Sequence, residues 1–239
     1  MSMRIQKLRK ILVANRGEIA IRIFRAATEL GLKTVAVYSR EDRFALHRFK
    51  ADEAYLIGEN KSPVKAYLDI DQIIKVAKES KADCIHPGYG FLSENPDFAQ
   101  SVIAAGIKFI GPSPRIMKLL GNKIESRKVA ENANVPVVPA TGPLPQKINQ
   151  IGSLANQIGY PLMLKASWGG GGRGMRIVES DNAFNSTLEI AKREAMSAFG
   201  DDRVLIERYL VRSRHVEVQI FGDTHGNIIH LFERECSLQ

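Results

Sequence analysis

Five of the six positions 169–174 are glycine, in the run Trp168-Gly169-Gly170-Gly171-Gly172-Arg173-Gly174-Met175. A backbone without side chains can fold over phosphate groups and aim its N–H groups at them. The literal pattern G-x-G-x-x-G is present. The dinucleotide fingerprint, however, needs a helix after the loop, and Met175-Arg176-Ile177-Val178 reads as a strand. A P-loop fails too, for want of Gly-Lys-Ser or Gly-Lys-Thr. What remains is a hairpin flap over phosphates or an ordinary flexible hairpin. The second rarely uses four consecutive glycines, because each costs about 0.5–1 kcal/mol relative to alanine.

Lys165 sits in the strand that feeds this loop, sharing a face with Met163 and opposing Leu162 and Leu164. A lysine in an apolar strand needs a counter-anion, which a bound phosphate supplies, unless it blocks aggregation at a sheet edge. Lys123, in Gly121-Asn122-Lys123 at a helix start, opposes the helix dipole unless an anion is present; it also fits a surface lysine. His215, Glu217 and Gln219 share one strand face, either lining a site or facing solvent, and Glu207 beside Arg208 and Tyr209 is equally open. The stretch His86-Pro87-Gly88-Tyr89-Gly90-Phe91-Leu92-Ser93-Glu94-Asn95 follows a strand and ends at a helix cap. In a parallel sheet that is the carboxyl edge, where ligands bind. Glycines flanking Tyr89 let a flat ligand meet backbone and ring together, unless the tyrosine is core. No zinc spacing and no Ser–His–Asp arrangement is present.

The elements that hold these residues follow from periodicity. Apolar runs at 11–14, 34–37, 54–57, 84–86 and 109–110 alternate with helical stripes such as Ile19, Ile23, Phe24, Ala27 and Leu30. That is the pattern of βαβ units around a parallel sheet, a Rossmann-like layer over residues 1–112. Asn95, Pro96 and Asp97 read as cap, first-turn proline and dipole-favoured acid. A helical segment from Pro114 and a linker, with four of the ten prolines between 136 and 145, fill 113–145. Residues 146–203 read as a small α+β lid: a helix near 149–158, strands 161–166 and 175–178, and a helix from Asp181 to about Ser197. Runs at 204–209, 215–221 and 227–232 read as an antiparallel meander, with a hairpin turn between the last two.

Composition fits a chain of 239 residues with one large domain or two small ones: 44% hydrophobic, 25% charged, and no apolar run of membrane-spanning length. The 34 basic side chains exceed the 26 acidic ones, for a net charge of +8, and residues 1–25 carry seven bases against Glu18 alone. Phe24 is the only aromatic there and reads as core, so an anionic small ligand is favoured over nucleic acid. Cys84 and Cys236 form no C-x-x-C pair and read as buried thiols in a reducing compartment. Strand-like sequence begins by Ile11, leaving no space for a signal core, and a cytoplasmic protein is expected. The residues alone thus describe a nucleotide-phosphate-binding α/β protein.

Five stretches carry a resemblance: Ala14-Asn15-Arg16-Gly17-Glu18-Ile19-Ala20, His86 through Asn95, Phe109-Ile110-Gly111-Pro112, Gly169 through Met175, and Arg214-His215-Val216-Glu217. The chain closely resembles the N-terminal part of biotin carboxylases, members of the ATP-grasp superfamily. Within them, Trp168, Ala45–Glu53 and Gly222–Asn227 look most like the biotin carboxylase domain of bacterial pyruvate carboxylases, with the acetyl-CoA carboxylase subunit as the alternative. The resemblance implies a Rossmann-like domain, an ATP-grasp lid, and at 204–239 the first strands of an incomplete antiparallel ATP-grasp core. It implies that MgATP activates bicarbonate as carboxyphosphate and that biotin, borne on a separate carrier domain, is carboxylated. Lys123, Lys165, Gly171 and Gly172 then bind phosphates, and Glu207, Arg208, Tyr209 and Leu210 hold the adenine. His215 and Gln239 lie along ribose and phosphates, Tyr89 and Gly90 face the biotin ring, and Glu94 belongs to the carboxylation site.

The resemblance further implies a carboxyltransferase domain as partner and a homo-oligomer, whose dimer surface the helix of Arg22, Arg25 and Glu29 resembles. The family continues past Gln239 with a catalytic lysine, Mg²⁺ ligands and bicarbonate-handling residues, so no metal ligand is expected within this chain and turnover by it alone is not expected. Two other readings are a non-catalytic nucleotide-binding or assembly module and another ATP-grasp ligase, such as a carbamoyl-phosphate-forming enzyme.

Overall fold

A continuous apolar run is what a strand covered on both faces requires, and Leu12, Val13, Val35, Ala36 and Ile85 are wholly buried. The computed structural model describes residues 7–142, 144, 148–167, 175–223 and 225–238. They form two units, Met1–Ser126 and Arg127–Gln239.

In chain order the first unit holds β1 (Lys10–Val13), α1 (Gly17–Glu29), β2 (Lys33–Tyr38), α2 (Leu46–Phe49), β3 (Glu53–Leu56), α3 (Pro63–Tyr67), α4 (Ile70–Glu79), β4 (Cys84–His86), α5 (Pro96–Ala104), β5 (Lys108–Phe109) and α6 (Pro114–Gly121). All strand pairs are parallel, in the order β3-β2-β1-β4-β5. Alternation sends Ile11, Val13 and Ala36 toward Ile23 and Phe24 of α1, and Leu12, Val35 and Ile85 toward Ile73 of α4 and Phe98 of α5. The expected cap is present: the Asn95 side chain accepts from the Asp97 and Phe98 amides at 2.9 Å each. Loops 14–16, 39–45 and 87–95 leave the same carboxyl edge, because the strands they follow are all parallel.

α7 (Lys123–Asn132) crosses into the second unit, which continues with α8 (Ile148–Ile158), β6 (Leu162–Ala166), β7 (Met175–Val178), α9 (Asp181–Phe199), β8 (Val204–Arg208), β9 (Val216–Gly222) and β10 (Ile228–Glu235). The lid sheet is antiparallel, ordered β7-β6-β8, and buries Leu162, Leu164, Val178 and Ile206 against Ile151 of α8 and Phe184 and Leu188 of α9.

One expectation is corrected here. The meander does not form: β9 and β10 pair as a two-stranded ribbon, while β8 pairs with β6. Short strands do not declare their partner in the sequence, and Leu205 and Ile206 are buried in the lid sheet. Nor is the proline-rich stretch wholly free of contacts. Thr141 and Leu144 donate to the Ile206 and Val204 carbonyls at 2.8 Å, and Arg208 donates to Pro139, so this stretch lines β8 on its outer side.

Three of the seven basic side chains in residues 1–25 are answered from within. Lys10 Nζ meets Glu53 at 2.6 Å and the Ser80 carbonyl at 2.7 Å, Arg16 meets Asp42 at 2.5 Å, and Arg25 meets Glu29 at 3.0 Å. Both cysteines are buried free thiols, and burial pushes Cys84 up to about 11. Among the described residues no helix is long and apolar enough to cross a membrane.

Candidate functional site

Lys165 lies on the central strand of the lid sheet, which removes the edge-strand explanation for it. Leu162, Leu164 and Ala166 face the helices and are buried; Met163 and Lys165 face the other way and are half-buried. The counter-anion that such a lysine needs is supplied by the protein: Lys165 Nζ lies 2.7 Å from Glu207 Oε2. Antiparallel register explains the meeting, because Glu207 pairs with Met163, two positions from Lys165 on the same face. Lys165 and Glu207 thus form a preformed ion pair with both side chains about a quarter exposed.

The residues after Glu207 are held by backbone. Arg208 turns away to donate to the Ile158 carbonyl at 3.0 Å, Tyr209 is half-buried with its amide on the Pro161 carbonyl at 3.1 Å, and Leu210 is 49% exposed. In the ribbon, His215 Nε2 lies 3.6 Å from Glu217, which also receives Gln219 at 3.2 Å and Arg234 at 2.5 Å. The three side chains expected on one face are therefore joined through Glu217, and the Arg234 hydrogen bond holds the Glu217 carboxyl below its usual range. Gly171, Gly172 and Gln239 lie outside the described residues, as does the side chain of Lys123. Lys123 opens α7, where the Asn122 side chain takes the Ile124 amide at 2.9 Å.

In the first unit, Tyr89 is 60% exposed and is not a core tyrosine. Its hydroxyl donates to the Glu18 carboxylate, which raises the Tyr89 pKa. Gly88 and Gly90 take φ of +67° and +68°, a region that favours glycine. His86, which leads into the loop, accepts the Gly88 amide on Nδ1 at 3.0 Å, and burial lowers its pKa. Glu94 is exposed, one residue before the α5 cap. Asn15 and Glu18 carry no individual signal in the sequence, although an asparagine directly after a strand and an acid opening α1 are both visible there. Among the described residues no cluster of three His, Cys, Asp or Glu side chains could hold a metal ion.

Residues 7–117 match the family profile of the biotin carboxylase N-terminal domain. The chain therefore carries a biotin carboxylase N-terminal domain. Residues 122–239 match the carbamoyl-phosphate synthase L chain ATP-binding domain. Mitochondrial pyruvate carboxylase of Rattus norvegicus is 53% identical over 232 residues, which are 97% of this chain and 20% of that protein. The chain thus spans about a fifth of the relatives it matches. Among solved structures, Rhizobium etli pyruvate carboxylase with the allosteric activator acetyl coenzyme-A superposes with a TM-score of 0.89 at 56% identity, over 98% of this chain and 21% of that one. The biotin carboxylase domain dimer of Hydrogenobacter thermophilus 2-oxoglutarate carboxylase, in complex with MgADP, ADP and bicarbonate, gives 0.91 at 46% identity, over 98% and 51%.

Proposed function

We propose that this chain takes part in the ATP-dependent carboxylation of biotin with bicarbonate, as part of a carboxylase whose final acceptor is pyruvate. The observation that carries the reading is the Lys165–Glu207 pair on the face of the lid sheet opposite α8 and α9, in the strand that precedes the glycine-rich run in the sequence, in a chain with a biotin carboxylase N-terminal domain. A lysine held by one carboxylate is oriented before ligand arrives, and it can exchange part of that contact for phosphate oxygens with little further ordering cost.

In this reading Lys123, Lys165, Gly171 and Gly172 bind the phosphates. Glu207 to Leu210 hold the adenine, and His215 and Gln239 line the ribose and phosphates. The γ-phosphoryl group passes from ATP to a bicarbonate oxygen, leaving ADP. The carboxyphosphate so formed then gives its carboxyl group to a ureido nitrogen of biotin, which loses its proton, and phosphate departs. Tyr89 and Gly90 face the biotin ring and Glu94 belongs to the carboxylation site. Magnesium accompanies the nucleotide, and none of the described residues is assigned to it. Biotin arrives on a carrier domain, a carboxyltransferase domain uses the product, and the protein works as a homo-oligomer in the cytoplasm. The pyruvate assignment is supported by the 53% identity to a pyruvate carboxylase.

Calorimetric titration with ADP and with a non-hydrolysable ATP analogue tests the nucleotide half. Lys165→Ala is expected to weaken binding by about tenfold or more, the scale of one charged hydrogen bond. Equal affinity in the two proteins, with the Lys165→Ala fold intact by circular dichroism, rejects the assignment.

A further inference from the structure

The ligand loop of the first unit rests on two residues that lie 70 or more positions earlier in the chain. Asn15, at the end of β1, is 2% exposed. Its Oδ1 accepts the Arg16 amide at 2.8 Å, and its Nδ2 donates to the carbonyls of Pro87 and Tyr89, also at 2.8 Å each. These two carbonyls straddle Gly88. A Cβ on Gly88 would sit 2.6 Å from Asn15 Nδ2, so the loop can lie on the amide only because residue 88 has no side chain. The Tyr89 ring, mostly in solvent, has little packing to set its direction; its hydroxyl instead donates to Glu18 in the first turn of α1. The Asn-x-x-Glu spacing thus puts one group under the loop backbone and another at the ring's tip.

We propose that Asn15 and Glu18 are positioning residues: Asn15 fixes the backbone from Pro87 to Tyr89, and Glu18 fixes the direction of the Tyr89 ring, so that ring and Gly90 present a preformed face to a flat ureido ligand. This rests on the reading that Tyr89 and Gly90 meet biotin. Preorganisation raises affinity by removing an ordering cost at binding. A tyrosine left free to sample its rotamers binds more weakly although every contact residue is still present.

The test uses the 239-residue chain and free biotin as probe, with three readouts: hydrogen exchange of the Gly88 amide, NMR titration of the Tyr89 hydroxyl, and saturation-transfer measurement of biotin affinity. Asn15→Asp keeps the side chain's shape and removes both donors. Exchange at the Gly88 amide, which rests on His86 Nδ1, is expected to rise about tenfold while β1 and β4 amides stay unchanged. Glu18→Ala should return Tyr89 to the ordinary tyrosine range and weaken biotin about three- to tenfold, and Glu18→Gln, which keeps an acceptor, should restore most of that affinity. Should Asn15→Asp not fold, Gly88→Ala strains the same contact from the loop side. The unsubstituted chain is decisive by itself in one direction: a Tyr89 hydroxyl that titrates like free tyrosine, or an unprotected Gly88 amide, overturns the proposal. Loop and ring responses as expected, but no saturation transfer from any of the proteins to biotin, would leave the positioning intact and remove biotin as the ligand.

Discussion

Ile85 of β4 and Ile220 of β9 are the same residue type in the same kind of hydrogen-bonded ladder, yet Ile85 is wholly buried and Ile220 is 69% exposed. In the first unit the central strands β2, β1 and β4 have helices on both faces. The β9–β10 ribbon has neither face covered among the described residues: Phe221, pointing opposite to Ile220, is 63% exposed. A two-stranded ribbon is marginal by itself, because ladder hydrogen bonds replace bonds to water and add little net free energy. Burial, not pairing, separates the two regions.

Truncation measures the difference most directly. Ile85→Ala is expected to cost about 2–5 kcal/mol, the sum of lost transfer energy and a cavity that the flanking helices cannot close. Ile220→Ala should cost less than about 0.5 kcal/mol, as at other exposed positions. Urea midpoints of the two variants decide it. Similar costs would mean that the ribbon is covered in solution.

The same contrast explains what could be read from the residues. The first unit was legible because strands buried on both faces leave uninterrupted apolar runs, as at 11–14 and 84–86, and because Asn95-Pro96-Asp97 carries its own start signal. α2 and α3, of four and five residues, are too short to show a helical period. The partner of β8 was illegible for another reason: strand choice is settled by which apolar faces remain uncovered, and the Ile206 face is completed by α8, α9 and the 139–144 stretch together. Within the candidate sites, residue types announced Lys165 and Tyr89. Their holders, Glu207 and Glu18, become visible only through register and loop geometry.

Two glycines in the left-handed region sharpen the comparison at smaller scale. Gly58 has φ +65°, and a Cβ there would lie 2.6 Å from the Ala66 Cα, which is backbone and cannot step aside. Gly200 closes α9 at φ +70° with nothing within 4 Å of its missing Cβ. Alanine should therefore cost about 2–4 kcal/mol at position 58, where strain and overlap add, and about 1 kcal/mol at 200, where strain acts alone. Thermal melting of both variants checks this, and a Gly200→Ala loss as large as the Gly58→Ala loss would show that overlap is not what distinguishes them.

The smallest expected effect is a difference in acid response between the units. His47 is wholly buried with Nε2 3.2 Å from the Val37 carbonyl, while its Nδ1 has no partner among the described residues. Burial lowers its pKa, against the smaller opposing pull of Val37 and Asp42, and burial lowers that of His86 as well. The histidines of the second unit, His215, His225 and His230, are exposed. For a base whose pKa is depressed in the fold, the unfolded chain binds the extra proton. Stability contributed by the neutral form is therefore full above about pH 6.5, the unfolded value, and drains away as pH falls toward the native one. Hydrogen exchange, corrected for intrinsic rates, should show β1 amides losing protection between about pH 7 and 5 by more than β6 amides do, and His47→Gln should reduce that loss. Equal slopes in both strands would mean that protonation at His47 and His86 finds acceptors this fold does not display, and the contrast between a sealed unit and an open one would not extend to its histidines.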